Sequence, residues 1–241
     1  MKFLISFIFI SSLFCTPVLA QSSQSDSAFY QLAVYNALAF YQQSSGDQSR
    51  LLNGREYKPY RIEFAIGQPF FLSEKFTAGS IVYEDGYYEN VQLLYDEVKG
   101  MLIAETGVSI ELITERIREF TIAGHFFTRL PADSANTQPD NDFYERLYSG
   151  KIEIYKKERK FLSEDVSDTE GVRGVVATKT FYYLRKGTRY YTFKNKNSLL
   201  DILQDKKAQL QQFIKTKALD YKHDTDNSIA KIAGYYEQLT Q

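Results

Sequence analysis

Ile81-Val82-Tyr83-Glu84-Asp85-Gly86-Tyr87-Tyr88-Glu89-Asn90-Val91-Gln92-Leu93-Leu94-Tyr95-Asp96 is the stretch that decides the fold class. Its Asp85-Gly86 pair is the strongest of the two-residue hairpin signals, because glycine accepts the positive φ that tight turns demand. Apolar side chains recur at every second position beyond it, at Val91, Leu93 and Tyr95, which places them on one face of a strand. The same pattern continues over residues 80–194, with further turn signals at Thr106-Gly107, Ser149-Gly150 and Lys186-Gly187. Between them run Val108/Ile110/Leu112, Phe120/Ile122/Phe126, Ile152/Ile154, Val176/Tyr182/Leu184 and Tyr191/Phe193. The expected result is an antiparallel meander or curved sheet of roughly seven to nine strands with one face buried. Residues 131–142 and 163–174 read as exposed loops, the first for its two prolines and the second for Glu164, Asp165, Asp168 and Glu170.

Helical spacing flanks this region on both sides. Residues 28–42 carry Phe29, Leu32, Leu38 and Tyr41 behind the candidate caps Ser25 and Asp26, so a short N-terminal helix is expected. Pro59, Gly67 and Pro69 then break the chain into an extended arm with short strands. Residues 198–241 read as a helical C-terminal segment. Ser198 and Asp201 resemble a capping box, Asp205 a second cap, and Ile229, Ile232, Ala233, Tyr236 and Leu239 trace one apolar stripe. That stripe must be buried, and the sheet is the nearest partner. The fold class is therefore α+β, with residues 21–241 forming a single domain.

Residues 1–20 have the form of a secretory signal peptide: Lys2, the apolar run from Phe3 to Phe14, and Val18-Leu19-Ala20 with small side chains before a cut between Ala20 and Gln21. The run falls short of the roughly 20 residues that span a bilayer, so cleavage is preferred to anchorage, and no transmembrane span is expected in the mature chain. Lipidation at Cys15 is disfavoured by the bulky Phe14 before it. Cleavage leaves 241 − 20 = 221 residues and removes the only cysteine. The mature chain then forms neither disulfides nor thiolate metal sites, which suits a bacterial envelope better than a eukaryotic secretory route. With Lys2 gone, 28 Lys and Arg face 30 Asp and Glu, a balance of −2 that argues against a nucleic-acid binder. The 19 tyrosines suit half-buried strand positions with hydroxyls reaching water, and equally surfaces that recognise sugars or proteins.

Leu52-Asn53-Gly54-Arg55-Glu56-Tyr57, Gly67-Gln68-Pro69-Phe70-Phe71, the run from Gly79 to Asp96, and Asp205-Lys206-Lys207 with Leu210 and Phe213-Ile214-Lys215 resemble a family of secreted Bacteroidota proteins over most of the mature chain. The resemblance implies an exported protein of a Gram-negative envelope and supplies no catalytic residues.

Candidate chemistry is sparse. Of two histidines, His125 is the one placed for catalysis, read as lying on the strand face of Thr121 and Arg129; a structural strand histidine is the competing reading, and His223 sits in a polar linker. Asp224-Thr225-Asp226-Asn227-Ser228 begins like a calcium loop. It fails at the sixth position, Ile229, and the twelfth, Tyr235, so these residues read as a helix cap and no metal site is assigned. Glu89, Asp96, Glu97, Glu111 and Glu119 offer strand carboxylates without a specific pairing. Lys156-Lys157-Glu158-Arg159-Lys160 reads as a charged edge that discourages edge-to-edge pairing. No glycine pattern for phosphates or dinucleotides occurs, and no cofactor is expected. These observations favour an exported, non-enzymatic envelope protein that binds an envelope protein, glycan or lipid and works in the periplasm or outside the cell. The alternatives are a carrier of lipid or another hydrophobic ligand, and an envelope hydrolase using His125.

Overall fold

The computed structural model describes residues 51, 53–130, 142–167 and 171–240, all within one compact unit, Leu38–Gln241. The expected signal peptide, helix 28–42 and most of loop 131–142 lie outside the described residues. What is described is mixed α+β and dominated by one large sheet. In chain order the strands are β1 (Arg55–Glu56), β2 (Phe64–Ile66), β3 (Thr77–Tyr83), β4 (Gly86–Asp96), β5 (Met101–Glu105), β6 (Ser109–Glu111), β7 (Ile117–Ile122), β8 (His125–Arg129), β9 (Phe143–Ser149), β10 (Ile152–Ser167), β11 (Gly171–Lys186) and β12 (Arg189–Phe193). Helices α1 (Lys196–Ile202), α2 (Lys207–Thr216) and α3 (Thr225–Gln238) follow.

The strand order is β1-β6-β5-β4-β3-β7-β8-β9-β10-β11-β12, with β2 parallel to β11 and the other pairs antiparallel. The chain thus runs outward from β3 to β6, returns to the far side of β3, and proceeds as a meander through β12. Twelve strands exceed the expected number because the arm contributes two and the turn at Ala123-Gly124 splits one predicted strand into β7 and β8.

The arm forces the sheet to curl. A flat sheet would hold β1 and β2 about 48 Å apart, at about 4.8 Å per strand step. The eight residues from Glu56 to Phe64 reach at most about 27 Å. Curling lets the arm add to β6 through β1 and to β11 through β2, and then bridge Phe70 to Asp96 at the end of β4.

The buried side chains form two principal cores. The first lies inside the curl and centres on Tyr83, Leu93, Tyr95, Phe120, Phe127 and Phe143. Phe120 stacks on Phe127 at 4.8 Å, and Tyr95 meets Phe120 edge-on at 5.3 Å. The second joins Ile152, Ile154, Leu184 and Phe193 to Leu199, Leu210, Ile229 and Ile232 of the helices, so the C-terminal stripe does bury itself against the sheet.

Several local expectations shift. The 163–174 region is strand up to Ser167 and again from Gly171, because β10 and β11 form one hairpin of 16 residues per arm. The turn after β3 is Glu84-Asp85, closed by Tyr83 opposite Gly86, and Glu84 itself takes the positive φ of 54°. Asn195, not Ser198, caps α1, with Ser198 as the third residue of the capping box. Asp205 caps nothing; it accepts from the Tyr236 hydroxyl at 3.0 Å. Asp224 precedes α3 without a side-chain cap bond.

Ala123-Gly124 has φ of 50° and 81°, the pair of positive values a type I′ hairpin turn requires, and alanine is strained at the first. Ala123→Gly is expected to stabilise the protein by about 0.5–1 kcal/mol, raising the thermal midpoint by a few degrees. A lower midpoint by calorimetry would contradict the assigned turn.

Candidate functional site

A single transverse row crosses the curled sheet: Tyr88, Ile81, Phe120, Phe127, Glu145, Lys156, Tyr182 and Phe193 are directly opposite one another on successive strands. The row leaves the first core at Phe127 and enters the second at Phe193, so Glu145 and Lys156 form a charged seam between two apolar clusters. A β-bulge between Ile154 and Tyr155 shifts the β9 register there, bringing Glu145 and Tyr148 to the same face.

Lys156 is the centre of the seam. Its ammonium lies 3.1 Å from Glu145, 3.3 Å from Glu158 and 2.7 Å from Asp226 in the first turn of α3. Burial pulls the Lys156 pKa down, but Asp226, Glu145 and Glu158 outweigh it and hold the group above its ordinary value. The Tyr182 hydroxyl donates to the other Asp226 oxygen at 2.8 Å. Burial and that carboxylate together raise Tyr182.

His125 stands on the other side of Glu145, with Nδ1 at 2.5 Å from Oε1. It pairs with Ile122 across the β7–β8 turn and therefore shares a face with Ile122, Phe127 and Arg129, as expected for Arg129 but not for Thr121, which faces Phe126. The expectation failed because a two-residue turn reverses the alternation that a continuous strand would keep. The Phe71 ring meets the His125 ring edge-on at 5.1 Å, and 38% of the histidine side chain is exposed. The arrangement can hold or pass a proton between imidazole and carboxylate. Glu145 is already committed to Lys156, and among the described residues the seam's partners are His125, Glu145, Lys156, Glu158, Asp226 and Tyr182, with no serine, threonine or cysteine.

The predicted charged edge is likewise corrected. Alternation sends Lys156 and Lys157 to opposite faces, where both are buried. Lys157 pairs with Asp142 and donates to the Phe143 carbonyl at 3.2 Å. Desolvation lowers its pKa, partly countered by Asp142. Lys160 lies 2.9 Å from the buried Glu97 and donates to the Phe70 carbonyl at 2.6 Å, which ties the hairpin to the arm. Burial raises Glu97 despite Lys160.

Of the other predicted carboxylates, Asp96 is fully buried. It accepts from Tyr60 at 2.9 Å and from the backbone N–H groups of Val98 and Lys99 at 3.0 and 2.9 Å. Glu111 pairs with Arg55 between β6 and β1. Glu89 and Glu119 do not join the seam. His223 is exposed and pairs with Asp220. Among the described residues no group of three or more His, Cys, Asp or Glu is placed to hold a metal ion, and no helix is long and apolar enough to cross a membrane.

A second feature was not foreseen. The arm folds over the outer face of β4 and β5 and encloses an open cleft of about 650 Å³, lined by Tyr57, Tyr60, Phe64, Phe70 and Phe76 with Glu63, Glu74 and Ser109. Tyr60 meets Phe64 edge-on at 5.4 Å and Phe70 at 6.1 Å. The Lys99 ammonium stands 4.2 Å from the Tyr60 ring centre and 5.3 Å from that of Tyr57. The Tyr57 hydroxyl is buried without a hydrogen-bond partner, and burial, then Asp96 and Glu111, push it up to about 12. The only sequence signal was the density of aromatics between residues 57 and 76.

The chain matches no protein-family model, no curated protein and no solved structure.

Removing Lys156 leaves Glu145 and Asp226 without their shared counter-ion. Lys156→Met should lower the unfolding free energy by about 3 kcal/mol in urea titrations, and a loss below about 1 kcal/mol would show that the seam does not depend on it. Burial raises the Asp96 pKa from its ordinary 3.8, so the folded chain keeps that proton to higher pH than the unfolded chain. The Asp96 contribution is full below 3.8 and is lost as pH rises through the raised value. Asp96→Asn should remove this loss, so its stability relative to wild type should increase as pH rises above 3.8. A difference flat with pH would refute the assignment.

Proposed function

We propose that this protein is an exported, non-enzymatic envelope protein that works in the periplasm or outside the cell as a binding or accessory module. The form of residues 1–20 supports export. One structural observation carries the binding reading: the aromatic cleft of the arm is open and lined by rings and polar groups. The charged seam, by contrast, is closed upon itself by ion pairs of Lys156 and by the His125–Glu145 hydrogen bond, which together cross four elements. Binding energy is available where surface remains to be covered, and the cleft has it.

The lipid-carrier alternative draws less support, since the concave face of the sheet is filled by its own rings. The hydrolase alternative keeps one specific observation, the His125–Glu145 pair. Among the described residues that pair stands with Lys156, Glu158, Asp226 and Tyr182, none of which is a serine, threonine or cysteine nucleophile.

Immobilised mature protein should capture a specific component from a detergent-solubilised Bacteroidota envelope extract, identified by mass spectrometry and glycan analysis. Capture should fall at least tenfold with the double variant F64A/F76A. No specific component, or equal recovery by the variant, would sink this reading. Hydrolysis of ester, peptide or glycoside substrates that disappears with His125→Ala would replace it with the hydrolase.

A further inference from the structure

We infer that the cleft over β4 and β5 is a binding site for a neutral oligosaccharide, an inference that rests on the binding reading above and names its ligand class. Three observations narrow the chemistry. Rings from two separate arm segments, Tyr57, Tyr60 and Phe64 against Phe70 and Phe76, line one cleft of about 650 Å³, a size that fits a small ligand. Aromatic faces carry partial negative charge and pack against the slightly positive C–H faces of a pyranose. A purely apolar ligand would gain the same contacts, but the wall is interrupted by Glu63, Glu74 and Ser109, and burying those against an acyl chain costs free energy.

Charge removes two more classes. Glu63 and Glu74 are exposed carboxylates at the cleft, and they repel phosphate, sulfate and carboxylate ligands. Lys99 already stands over the Tyr60 and Tyr57 rings, so the cation-binding capacity of these two rings is taken and a second cation meets its repulsion. A neutral polyol remains, one that donates hydroxyls to carboxylates and lays ring C–H groups on aromatics.

The arm also has the mechanical basis for a fixed site. It is pinned at Glu56 opposite Ile110, at Phe64 opposite Gly174, and at Phe70 opposite Asp96. Between those pins, Tyr60 is tied to Asp96 by its hydroxyl. The rings are thus presented on backbone that is held before a ligand arrives, which lowers the ordering cost of binding.

The test is titration of the mature protein with neutral hexasaccharides of glucose, mannose and N-acetylglucosamine, followed by calorimetry and by NMR of the tyrosine rings. Saturable binding by at least one series is expected, with at least a tenfold loss in Phe64→Ala and in Phe76→Ala at unchanged circular dichroism. Tyr60→Phe keeps the ring and should retain binding within about threefold, whereas Glu74→Lys should weaken it. The inference is overturned if no neutral hexasaccharide binds, if both ring variants bind as wild type, or if sulfated glycans or phospholipid vesicles bind in their place. Specific capture from the envelope extract together with silence toward all neutral sugars would remove the oligosaccharide while leaving the binding module intact; failure of both would remove the two together.

Discussion

The ammonium of Lys156 is the interaction on which the two halves of the structure depend. It lies on the row of facing residues that links the rings inside the curl to the apolar cluster under the helices. Its partners come from β9, from β10 itself and from the first turn of α3. A buried charge contributes little net stability when paired and destabilises strongly when stranded. Its effect is therefore on specificity. Sliding β10 by one residue would bring Lys157 to the seam and Lys156 to the Asp142 side, exchanging the partners of both ions at once. Adjacent lysines with separate carboxylates on opposite faces thus fix a register that aromatic alternation alone leaves less certain.

Tyrosine serves the same end more gently. Five of its hydroxyls donate to carboxylates: Tyr60 to Asp96, Tyr148 to Glu237, Tyr155 to Glu153, Tyr182 to Asp226 and Tyr236 to Asp205. Four of these pairs join residues more than 30 positions apart, so each closes a long stretch of chain. A phenol buries a large apolar ring and supplies one directed donor, which lets a core end on a polar contact without an ion. In a chain whose mature form is expected to lack cysteine, such pairs and the lysine seam fill the role of long-range cross-links.

What could be read from the sequence was local, and what could not was relational. Period-two alternation and glycine turns identified β4, the β5–β6 hairpin and the β11–β12 hairpin, since each depends on neighbours a few residues away. The helical stripe of Ile229, Ile232, Ala233 and Tyr236 was legible for the same reason, and all four are buried. His125 was found, but its face was misjudged because Ala123 disguised a turn that more often shows Asn or Asp before glycine. Lys156 and Lys157 looked like an exposed edge because their partners lie up to 70 residues away, at Glu145, Asp142 and Asp226. Burial of a charge is a statement about the partner, and a single strand does not carry it.

The seam and the arm differ in how far their own contacts are satisfied. Each ion of the seam is bound to another, so a ligand entering there would have to break a pair already desolvated in the folded state. The arm meets the opposite condition. Its backbone hydrogen bonds are spent at three points on β6, β11 and β4, yet the rings between those points leave a cleft that the chain itself does not fill. A segment too broken by Pro59, Gly67 and Pro69 to form a regular element cannot bury its aromatics against one neighbour, and it spreads them over the outer face of a sheet that is already complete. Backbone fixed by the sheet and rings left partly uncovered are what the proposed binding surface needs, and in this fold they coincide on the arm.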